Sequence, residues 1–241
     1  MNSLPEFPTR ADAQDVLLNG VLHGIHLPYQ SFGNVDSLDL FGVNELMLFA
    51  FYKLNAPRYK SARDIGANIG LHAIIMARQG WNVIAYEPDP KHYAMLRRNV
   101  DENRQSVGSS RVAVSDQSGL SHFVRVLGNT TGNHILGDKV PYGDTEPLIV
   151  ATIDAREVFE HTDFAKIDAE GHEAVILSRL TPNCEVMSEV GNVNTAKAIF
   201  DRFVAEGRPM YSQKTGWRQV FTMDDMPIHH SDGSLFIGVA Q

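Results

Sequence analysis

Only one cysteine, Cys184, occurs in the 241 residues, so no disulfide can close within the chain and no cysteine cluster can hold zinc. Long apolar runs are missing too. The longest strongly apolar stretch, Leu46–Tyr52, falls far short of the roughly 20 residues that cross a bilayer. The N-terminus, with Pro5, Glu6 and Pro8, lacks the basic-then-apolar pattern of a signal peptide. Positive charge is in deficit: 21 Lys+Arg against 29 Asp+Glu give a formal net charge of −8. That balance argues against a protein whose main task is gripping nucleic acid. No repeat and no low-complexity stretch is visible. These absences predict a soluble, cytoplasmic protein with neither a membrane nor a nucleic acid as partner. What remains is a chain 43% apolar and 21% charged, which supports a packed core of one α/β domain.

Residues 1–42 are rich in Pro, Gly and Asn and read as an irregular cap or lid, within an N-terminal segment of residues 1–55. Val43–Leu54 has helical spacing, with Leu46, Phe49, Ala50 and Leu54 on one face. A domain of residues 56–241 follows, with no linker. Strand signals at Ser61–Ile65, Val83–Glu87 and Arg111–Val114 alternate with helix signals at Leu71–Arg78 and after Asp89-Pro90, an N-cap followed by proline at the first helical position. Such alternation predicts a parallel sheet with right-handed crossovers. Gly119–Leu127 and Leu148–Ile153 read as strands on either side of a long loop, residues 128–147. Strands are expected at Phe164–Asp168 and Glu185–Val190, and helices at Glu173–Leu180 and Thr195–Glu206. The tail suggests an antiparallel hairpin of Trp217–Thr222 with Leu235–Val239.

The segment Asp64-Ile65-Gly66-Ala67-Asn68-Ile69-Gly70 carries the first chemistry. Its glycines allow a sharp strand-to-helix turn and a close ligand approach. A dinucleotide site wants G-x-G-x-x-G, but Asn68 occupies the middle position. Asp64 points negative charge at the turn, which suits a cationic ligand better than a diphosphate. S-adenosylmethionine, with a sulfonium, an ammonium, a ribose diol and no phosphate, fits. Glu87, at the tip of the next strand before Pro88, can accept hydrogen bonds from both ribose hydroxyls. The structural alternative is that Asp64 and Glu87 only cap the helices that follow them.

Four blocks together resemble the FkbM-type S-adenosylmethionine-dependent methyltransferases: Asp64–Gly70, Tyr86-Glu87-Pro88, Val112–Asp116 with Gly119, and Lys166-Ile-Asp-Ala-Glu-Gly-His-Glu173. The resemblance runs from about Glu45 to Val190. It implies the class I methyltransferase (Rossmann-like) α/β fold: a seven-stranded, mostly parallel sheet of order 3-2-1-4-5-7-6 with helices on both faces. It implies methyl transfer to oxygen on natural products or sugars. It also implies that Asp64, Gly66, Asn68, Gly70 and Glu87 shape the cofactor site, with Ser115 and Asp116 beside the adenine. Two positions depart from the family pattern: Ser61-Ala62-Arg63 interrupts the usual apolar first strand, and His72 stands where an aromatic or small residue is usual.

Methyl transfer from a sulfonium needs in-line positioning, and a proton acceptor when the nucleophile is a hydroxyl. Asp168 and Glu170, at the tip of the expected fourth strand, are the candidate bases, with Lys166 orienting or neutralising them. Structural alternatives remain: Glu170 and Glu173 suit a helix N-terminus, and Lys166 suits a partner role toward Asp168. Glu189 faces the same rim as a candidate substrate contact. Asp168 with Glu189 offers oxygen ligands to a divalent cation, but no third ligand is evident and no metal site is expected. Of the ten histidines, only His134, with Asn133, is expected at the substrate, as a ligand or alternative base. His229 and His230 are adjacent and read as pointing apart. The leading expectation is O-methylation of a small hydroxylated molecule or sugar. A nicotinamide-dependent oxidoreductase and a non-catalytic nucleoside-binding domain are the competing readings.

Overall fold

Alternating helix and strand signals become two sheets in a computed structural model that describes residues 4–140 and 143–240. The strands are β1 (Ser61–Ile65), β2 (Asn82–Tyr86), β3 (Val107–Ser110), β4 (Ala113–Ser115), β5 (Gly119–Val126), β6 (His134–Ile135), β7 (Thr145–Asp154), β8 (Phe164–Ile167), β9 (Glu185–Glu189), β10 (Met210–Ser212), β11 (Arg218–Gln219) and β12 (Ser234–Ile237). The helices are α1 (Arg10–Asn19), α2 (Val43–Leu54), α3 (Leu71–Arg78), α4 (Pro90–Glu102), α5 (Ala155–Phe159), α6 (Glu173–Leu177) and α7 (Val193–Ala205).

The main sheet has eight strands in the order β11-β10-β12-β9-β8-β1-β2-β3. From β3 to β9 every pairing is parallel, and the β12, β10 and β11 pairings are antiparallel. With the two-residue edge strand β11 set aside, the order is the expected 3-2-1-4-5-7-6. The count of eight exceeds the expected seven because Arg218–Gln219 adds one short strand beyond β10.

Alternation along each strand feeds two cores. Ala62, Val83, Ala85 and Phe164 face a core built with Phe49 and Tyr52 of α2, Ile74 of α3 and Leu96 of α4. Ile65, Ala165, Ile167 and Val186 face the opposite core, built with Val158 of α5, Ile176 of α6 and Phe203 of α7. Helices therefore cover both faces, and each fully buried Ile, Leu or Phe contributes about 1.5–3 kcal/mol relative to exposure.

Several expectations are corrected. Residues 1–42 are less irregular than composition suggested, because a reciprocal Thr9–Asp12 capping box starts α1. Ala13 and Val16 of α1 pack into the same core as α2 and the sheet. The third strand of the main sheet is Val107–Ser110, not Arg111–Val114; Ala113–Ser115 instead joins the second sheet, β4-β7-β5-β6. The 128–147 segment includes β6 and the start of β7 among its described residues, because β5 pairs with both. The expected hairpin of 217–222 with 235–239 does not form: β10 inserts between β11 and β12.

Candidate functional site

The carboxyl ends of β1, β2 and β8 meet at one rim. At Gly66 the chain turns with φ +74°, and a β-carbon there would sit 1.7 Å from the Asp168 carbonyl oxygen. Gly66 is thus required by the neighbouring strand tip, not only by a ligand. The amides of Gly66 and Ala67 both donate to the Tyr86 carbonyl at 3.0 Å, which pins the turn to β2. Glu87 is held from both sides: the Asn68 amide donates to Oε2 and the Asp89 amide to Oε1, each at 2.8 Å. Burial pushes the Glu87 carboxyl up to about 8, against the pull of those two amides. Each of its oxygens keeps a further lone pair for a ligand hydroxyl.

Three neighbouring cavities follow this rim. The first, about 240 Å³, is walled by Ile65, Tyr86, Val114, Phe123 and Ile135, with Glu87, Asn68, Thr130 and Glu170 as polar lining. The second, about 60 Å³, is lined by Glu45, Asn68, Leu71, His72, Lys166 and Asp168. The third, about 340 Å³, is lined by Asp39, Asn44, Glu45, Glu189, His230 and Ser234 among others. The first two share Gly66, Asn68 and Asp168; Glu45 joins the second to the third, and Asp39 joins the first to the third. Asn68 Oδ1 is buried without a hydrogen-bond partner, on the border of the first two.

A relay of side chains stiffens the second cavity. Tyr52 Oη lies 2.9 Å from His72 Nδ1, and His72 Nε2 lies 2.9 Å from Glu45 Oε2. Lys166 Nζ donates to Asp168 Oδ2 at 3.2 Å. Burial opposes the Lys166 charge, but Asp168, Asp64 and Glu45 outweigh it and raise its pKa. Burial likewise opposes ionisation of Asp168, yet the Lys166 ammonium wins and holds Asp168 below the usual carboxylate range. Asp168 is therefore a fixed anion and a weak proton acceptor. Glu170 is shifted the other way, by burial and by the Asp168 charge, and Lys139 donates to its Oε2 at 2.5 Å. Glu173 clamps the turn by accepting from the Ala169 and Gly171 amides at 3.0 and 3.1 Å.

Asp89, beneath the first cavity, organises the wall. It caps α4 by accepting from the Lys91 and His92 amides, and takes a two-pronged bond from Arg125 of β5 at 2.6 and 2.9 Å. Burial works to raise its pKa, but Arg125 and the amides hold it below the usual range.

The expected residues divide accordingly. Gly66, Asn68, Glu87, Pro88, Asp168 and Glu170 line the first cavity, and Ala67 and Lys166 line the second. Asp64 is fully buried and lines neither, sitting below the turn among Lys166 and His72. Gly70 packs on Leu96 of α4. Ser115 and Asp116 do not reach the cavity; Ser115 Oγ instead bonds His172 Nε2 at 2.9 Å, and His172 lines it. Asn133 lines the first cavity but spends both polar ends on the Val126 amide and on Asp89. His134 is buried on β6 with Nδ1 against the Gly132 carbonyl at 2.9 Å, and it lines none of these three cavities. Glu189 faces the third cavity, where His230 Nδ1 bonds it. Sequence reasoning missed Tyr86, Val114, His172 and His230. The first three lie at strand tips or in a quoted motif; His230 opens a short helical turn, His230–Asp232, that no sequence pattern announced. Among the described residues, no group of three or more His, Cys, Asp and Glu side chains is placed to hold a metal ion. No helix among them is long and apolar enough to cross a membrane.

A family model described as a methyltransferase FkbM domain matches residues 64–196. Hexuronic acid methyltransferase AglP of Haloferax volcanii is 30% identical over 123 residues, 49% of this chain and 48% of that protein. The chain thus matches about half the length of that curated relative. Among solved structures, an O-methyltransferase from Bacillus cereus in complex with SAH superposes with a TM-score of 0.46 at 14% identity, over 97% of this chain and 92% of the other. The METTL16 MTase domain superposes with a TM-score of 0.49 at 12% identity, over 96% of this chain and 80% of the other.

Proposed function

This chain belongs to the methyltransferase FkbM domain family, and we propose that it is an S-adenosylmethionine-dependent methyltransferase that methylates an oxygen of a small hydroxylated molecule or sugar. The observation that carries the reading is the row of three joined cavities along one strand rim.

The residues present fit the cofactor. Apolar Tyr86, Val114, Phe123 and Ile135 suit an adenine, and Glu87 suits the ribose diol. The unpartnered Asn68 Oδ1 waits for a donor. In the second cavity Glu45 suits an ammonium, and Lys166 suits a carboxylate. When bound, S-adenosylmethionine supplies a methyl on a sulfonium that needs no further activation. Asp168, kept anionic by Lys166 and lining both the first and the second cavity, would set negative charge toward that sulfonium. Glu170 closes the rim from the first cavity. Leu40 of the helical segment Asp39–Phe41 and Glu45 of α2 line the second cavity, and Asp39 and Val43–Glu45 line the third.

The hexuronic acid methyltransferase among the relatives supports a sugar ring as the acceptor class; the carboxylate of a hexuronic acid belongs to that relative's name and is not carried over to this chain. The test is transfer of labelled methyl from S-adenosylmethionine to a panel of mono- and disaccharides, small phenols and alcohols, small amines and activated carbon acids. Labelled methyl ethers are expected. Label appearing only on nitrogen or carbon acceptors would overturn the oxygen assignment.

A further inference from the structure

We propose that the third cavity is the acceptor subsite, that His230 takes the proton of the acceptor hydroxyl there with Glu189 behind it, and that the acceptor carries no negative charge. This rests on the methyltransferase reading above and deepens it.

The placement follows from continuity. The third cavity touches the second through Glu45 and the first through Asp39, so it borders both the nucleoside end and the amino-acid end of the cofactor site, between which the reacting carbon of a methyl donor would stand. It opens at the tips of β9 and β12, beside the strand β8 that carries Asp168. Its walls are built. Asn44 Nδ2 donates to the Ser231 carbonyl, and Gln213 bonds both Asn44 and the Ser234 amide, so the N-terminal segment is tied to the turn that carries His230. Gly191 is needed for that ring: a β-carbon there would stand 2.7 Å from His230 Cε1.

The chemistry follows from the pair. Glu189 Oε1 occupies His230 Nδ1, and His230 Nε2 makes no hydrogen bond with the described residues while the ring lines the cavity. Burial and the Asp168 charge push the Glu189 carboxyl up to about 8, so it is as pH rises through that value that Glu189 ionises, the imidazole keeps its proton on Nδ1 and Nε2 presents a lone pair. The acceptor oxygen forms a bond to the methyl carbon as the carbon–sulfur bond breaks, its electron pair going to sulfur. The hydroxyl proton passes to Nε2. Products are a methyl ether, the neutral thioether and an imidazolium that releases its proton to water.

Charge sets the acceptor class. The cavity is lined by Asp39, Glu45 and Glu189, with no Lys or Arg. The groups acting on His230 are Glu189, Glu170 and Lys139, with Asp168 beyond Glu189. The hydrogen bond to Glu189 raises the His230 pKa above its ordinary value against partial burial, so the free-base form grows as pH rises through that raised value. A neutral or amine-bearing polyol fits such a site; a carboxylate is repelled.

The test uses the full chain with methyl glucoside, methyl glucosaminide and glucuronic acid as acceptors, and with the variants His230→Gln and Glu189→Gln. The first two acceptors are expected to be methylated, with glucuronic acid at least about tenfold poorer. His230→Gln is expected to lose about 100-fold in kcat with the cofactor KM within twofold, and to lose the rise of rate with pH. Glu189→Gln is expected to shift that rise to lower pH. Wild-type turnover and pH profile in His230→Gln, or preference for glucuronic acid, would overturn the proposal. If none of the three is methylated, imidazole NMR of the chain saturated with S-adenosylhomocysteine decides: His230 signals moved by the glucoside support the subsite, and unmoved signals with all three overturn it. Failure of S-adenosylmethionine to bind in calorimetry would instead sink the cofactor-site reading itself.

Discussion

The carbonyl oxygen of Asp168 lies 1.7 Å from where a β-carbon on Gly66 would stand, so the tips of β1 and β8 interlock without room for a methyl group. The glycine turn and the acidic strand tip are one unit. The φ of +74° at Gly66 adds a conformational reason for glycine.

Gly66→Ala is therefore expected to part the two strand tips. Backbone strain alone costs roughly 1–3 kcal/mol, and the overlap adds to it. Thermal denaturation should show a Tm at least ~5 °C lower, since about 1 kcal/mol moves Tm by about 2–4 °C in a chain this long. An unchanged Tm would show that the tips can separate freely.

Asp89 joins α4 to the second sheet, and its removal strands a buried cation. Arg125 is 3% exposed, and its other carboxylate partner, Glu146, sits at the surface. Asp89→Ala should cost about 3–5 kcal/mol, read by urea denaturation at pH 7. Because the Asp89 pKa is lowered in the fold, its contribution is present above the unfolded carboxylate pKa and fades as pH falls through the folded value. Wild-type and variant stabilities should accordingly converge in acid.

Much of this arrangement was legible in the sequence, and the limits have physical causes. Asp89-Pro90 announced the start of α4 because an N-cap and a fixed proline φ act locally. The Asp64–Gly70 turn was legible for the same reason. The burial of Asp64 was not legible, because alternation from Ile65 turns its side chain inward, where both carboxylate oxygens are buried without a hydrogen-bond partner among the described residues. The burial of His134 was not legible because its strand exists only through pairing with β5, far from any local signal. His230 was missed because its partner, Glu189, is brought beside it by a strand pairing that no spacing encodes.

Binding of the cofactor should be linked to a proton at Glu87. Burial raises its carboxyl to about 8, so the empty site is mostly protonated at pH 7. A ribose diol donating two hydrogen bonds, and a nearby sulfonium, favour the ionised form. Affinity should thus rise with pH up to about 8 and level off above it. Calorimetry in buffers of different ionisation enthalpy should find proton release at pH 6.5 and little at pH 9, the test pH values being about 1.5 below and 1 above that carboxyl. Proton uptake at the lower pH would contradict the assignment.

Asp168→Asn should keep the fold and slow methyl transfer by about 100-fold, the scale of losing a preorganised charge at a reacting centre. Circular dichroism and kcat measured on one preparation check both halves. Wild-type kcat would remove Asp168 from the reaction.

The most direct test of the cofactor site is calorimetric titration of S-adenosylhomocysteine into the wild-type chain and into Glu87→Ala. The wild type should bind one equivalent, and the variant should bind more weakly by ~1–3 kcal/mol, the scale of charge-assisted hydrogen bonds. Equal affinities in the two proteins would contradict the placement of the nucleoside on Glu87.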